Sequence, residues 1–241
     1  MRYSLLAAAL LPSLTFAQAP ATQPAAPSAD LVLHLKLDGN AADSSGQENA
    51  TEAIDITPAA DRGGKPGGAV HFNGRTSQIV VDPPPIGVGQ AITVALWVKQ
   101  EKAADPFVWI DVMDGNGKFT QPIIGQDDGY HVRCWQLCGG ESFIWHRMGE
   151  YSSCWTKKPH ELNRWYHVAA TFDGSMHRLY VNGQLAHEAQ GFFKFSRSEP
   201  IRIGAKGDDT TPKHAYFTGD LDDIRIYNRA LSAAEIAGQA K

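Results

Sequence analysis

The sequence predicts an all-β protein: an antiparallel two-sheet β-sandwich of jelly-roll type with a short C-terminal helix. Three observations carry that prediction. Apolar and polar residues alternate with period two in many short runs. Gly, Asn and Asp pairs punctuate those runs, and no helical period longer than a turn or two precedes Ser232.

Taken in order, alternation places strands at 31–37, 69–72, 78–81 and 92–99. Further runs at 130–136, 142–148, 166–172, 178–181 and 201–203 read the same way. Turn chemistry separates them at Asp38-Gly39-Asn40, Asn73-Gly74, Asp114-Gly115-Asn116-Gly117, Asp128-Gly129, Asp173-Gly174 and Asn182-Gly183. The clearest hairpin joins 165–172 to 177–181 through Asp173-Gly174-Ser175. At the end of the chain, Ser232 and Glu235 three residues on form a capping box that starts the helix.

The first residues predict export. Arg2 precedes an apolar run over 5–16, and small residues follow at Ala17 and Ala19. Cleavage after Ala19 would leave Pro20 at the new terminus, so the signal peptide is read as 1–17. The apolar run is shorter than the ~20 residues a membrane span needs, and no cysteine follows it for lipidation. The expected location is therefore outside the cytoplasm: secreted, periplasmic or at the cell surface. Residues 18–29 are rich in Pro and Ala and read as a semi-extended linker, leaving 30–241 as one domain. A 43% hydrophobic content with 10% aromatic residues is enough for a large core. The net charge is −4 and no basic patch is present, which argues against nucleic acid as a partner.

The closing stretch, 217–236, carries the first functional suspects. Phe217, Gly219 and Leu221 share one parity, whereas Ile224 and Ile226 share the other. The inward face therefore changes at Asp222-Asp223, and a one-residue bulge achieves this at least cost. Two carboxylates at a bulge in an apolar strand need water or a cation.

Several stretches resemble one family. LKLDGNAADSSGQENAT (35–51), GGAVHFNGRTSQIVV (67–81), ITVALWVK (92–99), NRWYHVAATFDGSMHRLYVNGQL (163–185), IRIGAK (201–206) and FTGDLDDIRIYNRALSAAEI (217–236) are similar, in order, to motifs of LamG-like jelly-roll domains. These domains belong to the concanavalin A-like lectin/glucanase superfamily, with laminin-G and pentraxin domains. The resemblance implies one structural calcium ion joining the two ends of the chain, with Asp38 and Asp222 at positions the family uses around it. Asn40, Asp43 and Asp223 are neighbouring oxygen donors. Calcium chemistry agrees, since Ca²⁺ takes six to eight oxygens from carboxylates, Asn and turn carbonyls. The alternative is plain turn chemistry for Asp38 and Asp43, with Asp222 paired to Arg225. His71 and His167 match family strand positions and are read as structural.

Residues 99–158 depart from the family pattern. An extra apolar segment, PFVWIDVM (106–113), precedes a stretch dense in Trp, His and Cys. Trp135, Trp145, Trp155 and Tyr151 are candidates for stacking on a sugar ring, with His131, Arg133 and His146 as donors to its hydroxyls. The competing reading is that these aromatics pack the core. In an exported protein Cys134, Cys138 and Cys154 are disulfide candidates, and the pairings 138–154, 134–154 and 134–138 all stay open. The spacing lacks the paired CxxC pattern of a zinc site built on these cysteines.

Catalytic signatures are sparse. Glu52 with Asp55, and Asp111 with Asp114, have the wrong parity for a glycosidase carboxylate pair. No nucleophile elbow or phosphate loop occurs. The expected function is a secreted, non-catalytic module binding carbohydrate or a surface glycan. The alternatives are an adhesion module with a cell-surface protein partner, or a polysaccharide lyase or hydrolase using His131, Arg133, His146 and Tyr151.

Overall fold

The structure is a computed structural model describing residues 30–83, 85, 91–102, 107–113, 134–139, 143–147, 153–156, 159–190, 200–206 and 215–241. For 107–113, 134–139, 143–147, 153, 155, 206 and 215 it describes the backbone only. The signal peptide and linker expected over 1–29 lie outside the described residues.

The first strands are β1 (Leu31–Leu35), β2 (Thr51–Ile54), β3 (Thr57–Ala60), β4 (Pro66–Asn73), β5 (Gln78–Val81) and β6 (Ile92–Gln100). The 99–158 region contributes β7 (Phe107–Met113), β8 (Cys134–Gly139), β9 (Phe143–Arg147) and β10 (Ser153–Trp155). Then come β11 (Trp165–Phe172), β12 (Met176–Val181), β13 (Gln184–Gln190) and β14 (Ile201–Ile203). Two short strands, β15 (Ala205–Lys206) and β16 (Ala215–Tyr216), precede β17 (Thr218–Tyr227) and helix α1 (Ala233–Gln239).

These strands form two antiparallel sheets and a two-stranded β15–β16 ribbon. The eight-stranded sheet runs β13-β12-β11-β6-β17-β4-β3, with β1 also paired to β17. The seven-stranded sheet runs β10-β9-β8-β7-β14-β5-β2. The main core lies between them: Val94, Leu96, Val98, Val168, Phe172, Leu221 and Ile224 of the larger sheet meet Ile79, Val81, Ile201 and Ile203 of the smaller. The expected sandwich is the observed one.

Alternation located the well-buried strands closely, and β5 and β14 match to the residue. It missed β2, β3 and β13, whose residues are largely exposed and carry no apolar alternation. The hairpin β11–β12 forms as expected, with Asp173 Oδ1 accepting from the N–H groups of Ser175 and Met176. The capping box is also present, with both reciprocal Ser232–Glu235 bonds made.

α1 covers part of the outer face of the larger sheet. Ile236 and Leu231 pack with Ala95, Ala169, Tyr180 and Tyr227 in a second cluster. The remainder of that outer face is polar, and the candidate site lies there.

Candidate functional site

The site begins at the bulge in β17. The register of β17 against β6 shifts between Asp222 and Arg225, and Asp223 takes a left-handed φ of 51°. Leu221, Ile224 and Ile226 thereby all reach the core, as the parity switch required. The extra residue sends Asp222 and Asp223 toward the outer face together.

There they line a cavity of ≈ 260 Å³ with Asp38, Asp61, Arg62, Lys36, His34 and Arg225. Asp222 is nearly buried, and its Oδ2 accepts a hydrogen bond from Arg62 Nη1 at 2.8 Å. The same guanidinium lies 4.5 Å above the Trp97 ring. Burial pushes the Asp222 carboxyl up to about 6; Arg62 opposes the shift while Asp223 and Asp61 add to it. Asp223 behaves oppositely. Burial raises its pKa, but hydrogen bonding to His34 at 2.8 Å and the Arg225 charge together hold it below the usual carboxylate range. Arg225, the partner of Asp222 in the alternative reading, pairs with Asp223 instead, because the bulge places Arg225 beside the second acid.

Asp38 sits at the mouth of the cavity, half exposed, with Lys65 Nζ 2.8 Å from its Oδ1. Asp61, which alternation did not single out, enters from the turn after β3. Its Oδ1 accepts from the N–H groups of Gly63 and Lys65 at 2.8 Å. Its Oδ2 lies where a Cβ on residue 68 would come within 2.8 Å, so the close approach needs Gly68. The Asp-Arg-Gly-Gly turn signal at 61–64 was the available clue.

The other two oxygen donors hold turns. Asn40 Oδ1 accepts from Ala42 N–H. The Asp43 carboxylate accepts from the backbone N–H of His34, Ser45 and Asn49, the Ser45 hydroxyl and Asn49 Nδ2. Burial raises its pKa, and these bonds more than offset that, leaving it low. Neither residue lines the cavity.

Calcium fits the chemistry of this pocket. Asp38, Asp61 and Asp222 converge from three separate segments, and the Asp222 carboxyl is raised first by burial and further by Asp223 and Asp61, against Arg62. Arg62 and Lys65 hold two of these carboxylates, on side chains 35% and 66% exposed.

A second polar row crosses the same face one register step along. Asp220 stands opposite His71 on β4 and Lys99 on β6. On the Asp222 row, next to Trp97, His167 is buried, and burial lowers its imidazole to about 4. It packs edge-on against Trp97 at 5.5 Å, as a structural histidine does.

In the 99–158 region, β8 pairs Trp135 with Arg147 and Leu137 with Trp145, and β10 pairs Cys154 with Trp145. Positions 135 and 145 therefore fall in line with Cys154, whereas Trp155 and His146 occupy the alternate line. The side chains of Trp135, Trp145, Trp155 and His146, and all of His131, Arg133 and Tyr151, lie outside the described residues. Cys154 is a buried free thiol whose Sγ donates to the His177 carbonyl at 3.3 Å, and burial pushes its pKa up to about 12. The expected pairings through Cys154 do not form, because positions 134 and 138 fall on the alternate register of the sheet. The 134–138 pairing concerns side chains outside the described residues.

A model of the concanavalin A-like lectin/glucanases superfamily, of laminin-G type, matches residues 72–237. The chain belongs to that superfamily. No curated protein matches it by sequence. Among solved structures it resembles domain 4 of AbnA, a GH43 extracellular arabinanase from Geobacillus stearothermophilus, in complex with arabinotriose. The TM-score is 0.63 at 20% identity, covering 88% of this chain and 98% of that domain. It also resembles the binding domain of Paraclostridial Mosquitocidal Protein 1, at TM-score 0.64 and 17% identity, and the receptor binding domain of botulinum neurotoxin type G, at 0.61 and 17%. Each toxin match covers 88% of this chain, which spans about half of the toxin chains, 52% and 51%. At these identities the likeness is one of fold.

Proposed function

We propose that this protein is an exported, non-catalytic carbohydrate-binding module stabilised by one structural calcium ion. The observation that carries the reading is the likeness, over nearly its whole length, to an arabinanase domain solved with arabinotriose. Superfamily membership and the Trp- and His-rich insert support it. The leader-like 1–17 supports export. In this reading Asp38, Asp61 and Asp222 hold the ion and tie the first turn to the last strand. The ion supplies positive charge that the cavity's carboxylates otherwise draw from Arg62 and Lys65. Sugar contacts come from the insert, with Trp155, Tyr151 and His146 stacking on a ring and donating to its hydroxyls.

A glycan array and polysaccharide pull-down, each with calcium and with chelator, test the sugar half. Retention that falls on Trp155→Ala is expected, and no retention under either condition rejects it. A thermal melt tests the ion. Chelation is expected to lower the melting temperature, and Asp222→Ala to remove that dependence. An unchanged melt in metal-free buffer rejects the calcium site.

The likeness to toxin receptor-binding domains favours a second reading, an adhesion module for a cell-surface protein. Co-purification of a protein partner without glycan retention would select it.

A further inference from the structure

The row that includes Asp220 presents a different donor set from the cavity. His71 Nδ1 lies 2.8 Å from Asp220 Oδ1 and 3.8 Å from Glu101 Oε1, and the three donor atoms all fall within 4.8 Å of one another. Two strand positions and the residue just after β6 deliver them. His71 and Lys99 flank Asp220 across the sheet, and Glu101 shares the parity of Lys99 two residues on. The Glu101 N–H donates to the Thr218 carbonyl, which pins its backbone beside β17. Gly219 permits the close packing, since a Cβ there would lie 2.2 Å from the Lys99 carbonyl oxygen.

Asp220 is 4% exposed, and its Oδ2 is held by the Lys99 ammonium. That contact leaves Oδ1 turned toward His71 and Glu101. A carboxylate anchored through one oxygen and presented through the other is how an outer-shell partner orients a metal ligand. Two carboxylates against one ammonium also leave the cluster one charge short of balance.

We propose that His71, Glu101 and Asp220 form a divalent transition-metal site, of the Zn²⁺ class, separate from the calcium cavity. An imidazole nitrogen with two carboxylate oxygens suits zinc and its neighbours; calcium takes an all-oxygen set. Donors held ~2.0–2.2 Å from zinc stand ~3.0–3.6 Å apart, and the distances of 2.8 and 3.8 Å bracket that spacing. Glu101, about one-third exposed, has the freedom to close the remaining gap. With three protein ligands on a solvent-facing surface, the ion keeps open positions for water or an outside donor.

The test is titration of the full chain with Zn²⁺ by calorimetry and with Co²⁺ by visible absorption, in excess Ca²⁺. One ion with a Co²⁺ d–d band is expected in the wild type and in Asp222→Asn. His71→Ala and Glu101→Gln should each lose the band and weaken Zn²⁺ binding at least tenfold. Both side chains are about one-third exposed, so the variants should fold, and a melt in chelator verifies this. A wild type that takes up no Co²⁺, or a band that survives His71→Ala, overturns the proposal. A band lost only in Asp222→Asn moves the ion to the cavity and overturns it equally, while leaving the calcium reading to its own chelation test.

Discussion

The outer face of the eight-stranded sheet has two halves built from the same central strands, β6, β11 and β17. One half shows Ala95, Ala169 and Tyr227, beside Tyr180 of β12, and is sealed by Leu231 and by Ile236 of α1. The other shows Asp220, Asp222, Trp97, Lys99 and His167, and its charges answer one another across strands. The boundary is the β17 bulge. Ala95 and Ala169 on one side allow a helix to lie close, whereas charged side chains on the other line a cavity. A covered half contributes stability through area, and an open half holds charge that can be turned to binding.

The largest expected effect lies in the covered half. Ile236 is fully buried, so Ile236→Ala should cost about 2–5 kcal/mol in urea denaturation. A loss below about 1 kcal/mol would mean that α1 contributes little to the sealed half.

In the open half, Asp222 gives the sharpest contrast. Its folded pKa of about 6 exceeds the ordinary 3.8, so the folded state holds a proton that the unfolded chain releases. Stability from this group is therefore greatest below about pH 4 and falls as pH rises toward 6, by on the order of 2–3 kcal/mol. Denaturation in chelator between these limits should show that slope, flattened in Asp222→Asn. Identical slopes would show that Arg62 neutralises Asp222 fully. Added calcium should remove the loss, since an ion replaces the proton.

A smaller effect belongs to the cap. Ser232→Ala removes both hydroxyl bonds to Glu235 and should lower stability by about 1 kcal/mol. Arg62→Met should cost little below about pH 6, where Asp222 takes up a proton, and more above it, where the buried carboxylate loses its partner. In the proposed calcium site it should raise calcium affinity by removing the competing cation. A weakened affinity would instead make Arg62 a support of the site.

How far these features were readable depended on their range. The bulge at Asp222-Asp223 was legible because parity is a local property of one strand. The Ser232–Glu235 box was legible because its partners are three residues apart. Asp61 and Arg62 were not, because a turn's composition does not say which distant strand it will fold over. Three cysteines in one segment suggested a staple, yet Cys154 turned out to fill the core, since the facing of a strand depends on its neighbours.

The sandwich, its better-buried strands, the capped helix and the place where β17 changes face could therefore be read from neighbouring residues. Period-two alternation and caps are written in neighbouring residues. Folding alone brings Asp38, Asp61 and Asp222 to one cavity, and His71 to Asp220 across 149 residues of chain. Alternation tells which face a side chain takes, but strand order and register decide what stands beside it.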